Sequence, residues 1–189
     1  MRWLWLALSR KLAKIPLMPA LALHLTKRAA DEYVLTCVRP DGSIARQHYR
    51  GPTAMFFPKH DLTHYVVETA LGMKRGFYGL VAEGWNLADF GTPWLRGKPP
   101  AEADPVEDVV QLLDREMGNQ QPWTAAEFNG FLAQFQTQHL AARPVVWVTA
   151  EMLNSIRVRI HELVSRWLAL PVGQTMELAF PLAEEKVLG

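Results

Sequence analysis

The tetrapeptide Pro40-Asp41-Gly42-Ser43 stands between two β-prone runs, residues 32–38 and 44–49, and it constrains the fold more than any other feature of the chain. Proline presets φ and glycine accepts a positive φ, so the chain reverses here and the two runs read as an antiparallel hairpin. Gly51-Pro52 breaks the second run. A short extended stretch follows over residues 53–57 and stops at Pro58.

Beyond that point the periodicity is helical. A helix is expected over residues 60–73, with Leu62, Tyr65, Val66, Thr69 and Ala70 on its apolar face. Residues 76–94 are rich in glycine and aromatic rings; they begin as helix through Glu83 and end as a ring-packing loop. Pro99-Pro100 marks residues 95–104 as an exposed connection. A helix over 105–117 opens with Pro105 and with Glu107 and Asp108, which suit the positive end of its dipole. Thr124 to Glu127 is a capping-box pattern for a helix over 124–141. Thr149 caps a last helix over 150–169, whose core stripe is Met152, Leu153, Ile156, Ile160, Leu163, Val164 and Trp167. Residues 145–148 are a candidate short strand, and 176–180 a terminal one. Early hairpin, four or five central helices and a late short strand together indicate an α+β fold, not a parallel α/β sheet.

The chain's 189 residues fit one domain, or one domain with a terminal extension, and 49% of them are hydrophobic, enough for a substantial core. The single cysteine, Cys37, excludes an intrachain disulfide and a cysteine-based zinc cage. Its apolar neighbours make it a buried, inert thiol, and a reducing cytoplasm suits such a chain. The net charge of +1 hides an asymmetry: residues 1–30 hold six basic side chains and no acid. The other 14 basic and 19 acidic residues leave the body mildly acidic, which argues against a nucleic-acid-binding surface.

Residues 1–30 therefore read as a basic amphipathic segment preceding a single domain over 31–189. Trp3, Trp5 and Leu8 precede Arg10, Lys11 and Lys14. The apolar runs are too short, and too broken by Pro16 and Pro19, for a membrane span, and they make a poor signal peptide. Three readings stay open: a peripheral contact with an anionic membrane, a helix packed on the domain, or an over-long start with Met18 the true first residue.

The chemistry concentrates in Pro58-Lys59-His60-Asp61-Leu62-Thr63-His64-Tyr65-Val66-Val67-Glu68. On a helix, residues four apart share a face, so His60 and His64 can aim two imidazoles at one metal ion. Zinc is the expected ion. Asp61 sits where the HExxH pattern places a general base, and could hold a water or orient a histidine. Glu68 continues the face, but about 12 Å of rise across eight residues strains a shared ion. It is therefore a ligand, a partner to a ligand, or a proton acceptor. Glu83, Asp89, His48 and His161 are candidates for a further ligand, with Glu83 favoured by its glycine- and aromatic-rich surroundings. The competing reading makes Asp61 the helix N-cap, which puts His60 outside the helix and breaks the pair.

His60-Asp61-Leu62-Thr63-His64 resembles the HDxxH zinc-helix motif of a ubiquinone-biosynthesis protein family. That motif adds a glutamate after eleven intervening residues, where this chain has Gly76. The resemblance implies ligand roles for His60 and His64, and for Asp61. The longer stretch through Gly79 is similar to a bacterial family with a P-x-HDLxHxxVE helix followed by G-F-x-G; that similarity implies kinship without an activity.

No Gly-rich phosphate loop, G-x-S-x-G or cysteine pair is present, so nucleotide and serine-hydrolase chemistry lack support. His139 is expected to meet a helix C-terminus, His161 and Glu162 to lie on a solvated face, and Trp85 and Trp94 to pack as core rings. Two functions follow. One is a metal-dependent hydrolase acting on a small molecule, with zinc on His60, His64 and Glu68 and with Asp61 moving the proton. The other is a non-enzymatic protein that binds a partner protein or a membrane surface through its N-terminal segment.

Overall fold

The computed structural model describes residues 20–138 and 146–182. Most of the expected basic segment, residues 1–19, lies outside that range, as does His139.

Four strands form one antiparallel sheet: β1 (Ala20–Ala29), β2 (Glu32–Val38), β3 (Ile44–Arg50) and β4 (Thr175–Pro181), in the order β3-β2-β1-β4. The hairpin is β2–β3, closed at Val38 opposite Ile44, and Asp41 Oδ1 accepts the Ser43 N–H at 2.8 Å inside the turn. The fold class is α+β, as expected.

β1 corrects the division at residue 30, because Ala20–Ala29 belongs to the sheet and not to a preceding segment. Leu21, Leu23 and Leu25 alternate inward and are fully buried, while Ala22, His24 and Thr26 turn the other way. Each buried leucine contributes roughly 1.5–3 kcal/mol of transfer free energy. The strand is central: it pairs with β2 on one side and with β4 on the other, where Leu21 faces Phe180 and Leu25 faces Met176.

Five helices complete the described chain: α1 (Pro52–Leu71), α2 (Phe77–Ala82), α3 (Asp104–Asn119), α4 (Ala125–Gln138) and α5 (Ala150–Ala169), with a 3-10 turn at Leu87–Phe90. Thr149 caps α5 by accepting the Met152 N–H at 3.1 Å, and Thr124 and Glu127 exchange capping-box bonds before α4. The expected strand over 145–148 does not form within its described part. The Asn129 side chain instead donates to the Val148 carbonyl at 2.8 Å and accepts its N–H at 3.0 Å, standing in for a neighbouring strand. Among the described residues no helix is long and apolar enough to cross a membrane.

α1 departs most from expectation. It begins at Pro52, so residues 53–57 are helical and not extended, and Pro58 lies inside it. Pro52 occupies the first turn, where a missing N–H costs nothing; Pro58 gives up a bond to the Ala54 carbonyl. Packing offsets that loss: Pro58 is buried, and the Phe57 ring stacks on Tyr49 of β3 at 4.2 Å. The helix lies against β2, β3 and β4 on one side and against α3 and α5 on others. Asp61 to His64 and Val66 to Glu68 are buried without the gaps of a one-sided helix. A helix enclosed on several sides must satisfy its polar groups internally, and α1 carries the chain's most unusual ones.

Candidate metal centre

Because α1 starts at Pro52, Asp61 cannot be its N-cap and His60 lies two turns inside. The pair of histidines four residues apart is therefore stacked on one face, with ring centroids 4.7 Å apart. Aromatic rings hold both imidazoles: Phe56 stacks on His60 at 5.2 Å, and Phe77 leans on His64 at 5.2 Å.

α3 supplies the acids opposite. His60 Nδ1 lies 2.7 Å from Asp114 Oδ2, and His64 Nε2 lies 3.3 Å from Glu107 Oε2. Later on α1 thus meets earlier on α3, so the helices run antiparallel and their polar residues form rungs. Ligating atoms of His60, His64 and Glu107 all fall within 4.8 Å of one another. This is the one such cluster among the described residues. Gln111, one turn after Glu107, donates to its Oε1 at 2.9 Å and fixes the carboxylate.

The third expected ligand is corrected here in position and in role. Glu68 is fully buried behind His64, with Oε1 3.3 Å from Nδ1, and it points into α2. Its carboxylate accepts the backbone N–H of Tyr78 at 3.1 Å and of Gly79 at 3.3 Å. The two glycines of Gly76-Phe77-Tyr78-Gly79 leave room for close approaches, Gly76 to Glu68 and Gly79 to the backbone at Lys74. A Cβ on Gly76 would stand 2.5 Å from Glu68 Cδ, and one on Gly79 would stand 1.8 Å from the Lys74 carbonyl. The distal acid of the ubiquinone-biosynthesis motif would fall at Gly76, which has no room for it.

His64 Nδ1 is close to Glu68 but off the line a hydrogen bond requires, and it is the one buried side-chain polar atom without such a partner among the described residues. Burial opposes a charge on this ring, but the carboxylates of Glu107 and Glu68 on either side outweigh it and raise its pKa to about 10. Burial likewise opposes charge on Glu107, and His64 outweighs it, holding that carboxyl down at about 2.

Asp61 lines the same cavity. Its Oδ2 accepts the Tyr33 hydroxyl at 2.8 Å, and its backbone carbonyl accepts the Tyr78 hydroxyl at 3.1 Å. Burial pushes its carboxyl up to about 6, against the pull of His60, Tyr33 and His64. Burial and the nearby Asp61 push both tyrosines well above their ordinary range.

Above these groups lies a cleft of about 410 Å³. Its walls are Tyr49, Phe57, Phe77, Leu87, Phe90 and Trp94; His60, Asp61, His64, Asp104 and Glu107 supply its polar atoms, with Gln47 at the sheet edge.

The other ligand candidates lie apart from the cluster. Glu83 is exposed and pairs with Arg75 at 3.1 Å; Asp89 accepts the Asn86 N–H at 2.7 Å to cap the 3-10 turn. His48 pairs with Glu32 at 2.6 Å on the sheet, and His161 is exposed on α5. Trp85 is a buried ring as expected, whereas Trp94 is 39% exposed and walls the cleft.

Glu107 is the residue that sequence reasoning used only as a dipole acid. Its signal was present: Glu107, Gln111 and Asp114 recur at spacings that place them on one face of α3. Nothing in the sequence said that this face meets His60 and His64. Comparison with known proteins returns no matching family model, no matching curated protein and no matching solved structure, so the chemistry rests on the residues themselves.

Proposed function

We propose that His60, His64 and Glu107 bind one divalent transition metal, zinc in the first instance, and that the chain is a metal-dependent hydrolase of small molecules. The observation that carries this reading is the convergence of two imidazoles and a carboxylate within 4.8 Å at the floor of a cleft. Two histidines and one carboxylate, with a fourth position left to water or substrate, is the donor set of catalytic zinc. The 3.3 Å between His64 Nε2 and Glu107 Oε2 matches the roughly 3.4 Å edge of a tetrahedron with 2.0–2.1 Å bonds.

The surroundings of the ligands support it further. Asp114 and Glu68 face the Nδ1 atoms of His60 and His64, which leaves the Nε2 atoms for an ion. The Asp114 hydrogen bond fixes the His60 ring and strengthens it as a donor, and Glu68 sets a negative charge beside His64. Bound there, zinc would lower the pKa of a water toward about 7 and polarise a carbonyl. Asp61, raised to about 6 and lining the same cleft, is suited to accept a proton near neutral pH. The aromatic walls would hold the body of the substrate and exclude bulk water.

The test is elemental analysis of the purified, untagged chain beside a His60→Ala/His64→Ala variant and a Glu107→Gln variant, each checked for folding by circular dichroism. About one zinc per chain, lost in the double variant and weakened in the single one, is the expected result. No metal in the purified chain and no uptake after incubation with zinc would overturn the reading. A retained ion justifies a screen of ester and amide substrates.

A further inference from the structure

The walls and the charge of the cleft narrow its occupant. We infer that the cleft takes an uncharged or cationic molecule with an aromatic or branched apolar body, and discriminates against anions. The inference deepens the hydrolase reading and rests on it for the chemistry done in the cleft.

Two independent features carry it. The first is shape. Phe77, Phe90 and Trp94 stand around a volume of about 410 Å³, within the roughly 300–1,000 Å³ range of small-molecule sites. Phe77 and Phe90 hold each other at 4.6 Å, and His64 braces Phe77 from the metal side. An apolar group seated there touches ring faces that are already fixed.

The second is charge. The cleft-lining groups include three carboxyls, Asp61, Asp104 and Glu107, and among the described residues no lysine or arginine lines it. Two nearby cations are held on aromatic ring faces. Arg96 donates to the Gly84 carbonyl at 2.7 Å and lies over Trp85, and Lys98 sits over the Trp94 ring. Sites for phosphoryl or carboxylate groups are ordinarily built from arginine forks, lysines or helix N-termini aimed at the oxygens. Here α3 does present its N-terminus toward the cleft, but Asp104 and Glu107 occupy its first turn. Asp61 and Asp104 remain on the lining when Glu107 is taken up by an ion. The lining therefore sets a preference against anions. An ester or amide meets it; a phosphate monoester or a free acid does not.

The experiment uses the full chain, zinc-loaded and metal-free, with three probes of one shape: benzylamine, benzamide and benzoate. Backbone amide NMR reports where each binds and how tightly. Benzamide and benzylamine are expected to shift resonances of Phe77, Phe90 and Trp94, and to bind roughly tenfold or more tighter than benzoate. Asp104→Asn should narrow that gap. Benzoate bound as tightly as benzamide, no shift at those rings with any probe, or a gap unmoved by Asp104→Asn would each overturn the inference. The outcomes separate from those of the metal reading. A chain that takes up no zinc yet keeps the probe order sinks the metal alone, and a zinc-loaded chain that prefers benzoate sinks the charge preference alone.

Discussion

Glu68 stands directly behind His64, with its Oε1 3.3 Å from Nδ1, while the same carboxylate accepts the N–H groups of Tyr78 and Gly79. One buried acid thus holds the start of α2 and sets a negative charge beside a candidate ligand. Glu68→Ala removes the acceptor for two buried donors and is expected to cost about 3–5 kcal/mol, measured by denaturant unfolding. Glu68→Gln keeps an acceptor and loses the charge. It should fold, and its zinc affinity should fall, measured by competition with a chelator, because the negative charge beside His64 Nδ1 is lost. Unchanged affinity in folded Glu68→Gln would confine Glu68 to a structural role.

Asp114 makes the matching prediction for His60. Its Oδ2 lies 2.7 Å from His60 Nδ1 and fixes which nitrogen faces the cleft. Asp114→Asn should weaken zinc about 10–100-fold with little loss of secondary structure, because an amide can hold the ring without strengthening it as a donor. Tight zinc binding by this variant would show that Asp114 does not tune His60 as a donor.

The close approach of α2 predicts a contrast between two glycines. Gly79→Ala drives a Cβ to 1.8 Å from the Lys74 carbonyl, a backbone atom that cannot swing aside. A loss of roughly 1–3 kcal/mol or more is expected, seen as a lower thermal midpoint. Gly130, exposed in the middle of α4, has nothing within 4 Å of an added Cβ. Gly130→Ala should stabilise the chain by roughly 0.5–1 kcal/mol, the usual helical cost of glycine. Equal effects of the two changes would contradict the packing described for the Gly-Phe-Tyr-Gly element.

The sequence made the hairpin, the caps of α4 and α5 and the terminal strand legible, because each depends on residues that are neighbours in the chain. β1 was hidden by its setting. Leu21, Leu23 and Leu25 alternate as a strand should, but they follow Pro16 and Pro19 in a stretch whose basic charge suggested something else. Pro58 reads in the sequence as a helix boundary, and the packing that lets it sit inside α1 is tertiary. His60 and His64 could be paired from spacing alone. Glu107 and Asp114 are more than forty residues away, and Glu68 looked like a ligand until the fold turned it toward α2. Local rules find the half of a site that one helix carries; the half carried by its neighbour depends on how the helices cross.

Asp61 predicts a stability that depends on pH with an unusual sign. Burial raises its carboxyl from the ordinary 3.8 to about 6. The folded chain therefore binds the proton more tightly than the unfolded one. The cost of holding the charge inside is absent below about 3.8, grows as pH rises and is complete above about 6. Asp61→Asn removes the charge and keeps an acceptor for the Tyr33 hydroxyl. At pH 8 it should stabilise the chain by about 2–3 kcal/mol, and the gain should vanish as pH falls toward 4. A variant that is more stable and yet hydrolytically dead would show that the carboxylate is retained for chemistry at the expense of the fold. A variant no more stable at pH 8 than at pH 4 would contradict the burial penalty.

Metal uptake should also depend on pH, in the direction set by His64. Its pKa is raised to about 10, because burial is outweighed by Glu107 and Glu68, so at neutral pH the ring carries a proton. An ion can use its Nε2 only after that ring loses one proton. Apparent zinc affinity should therefore climb about tenfold per pH unit from pH 6 to 8, and calorimetry in buffers of different ionisation enthalpy should register about one proton released per ion. Glu107 adds no slope over this range, since His64 holds it ionised down to about 2 despite its burial. In His64→Ala the residual affinity should be weak and should climb less steeply with pH. A steep climb that survives this substitution would assign the released proton to another group and remove His64 from the centre.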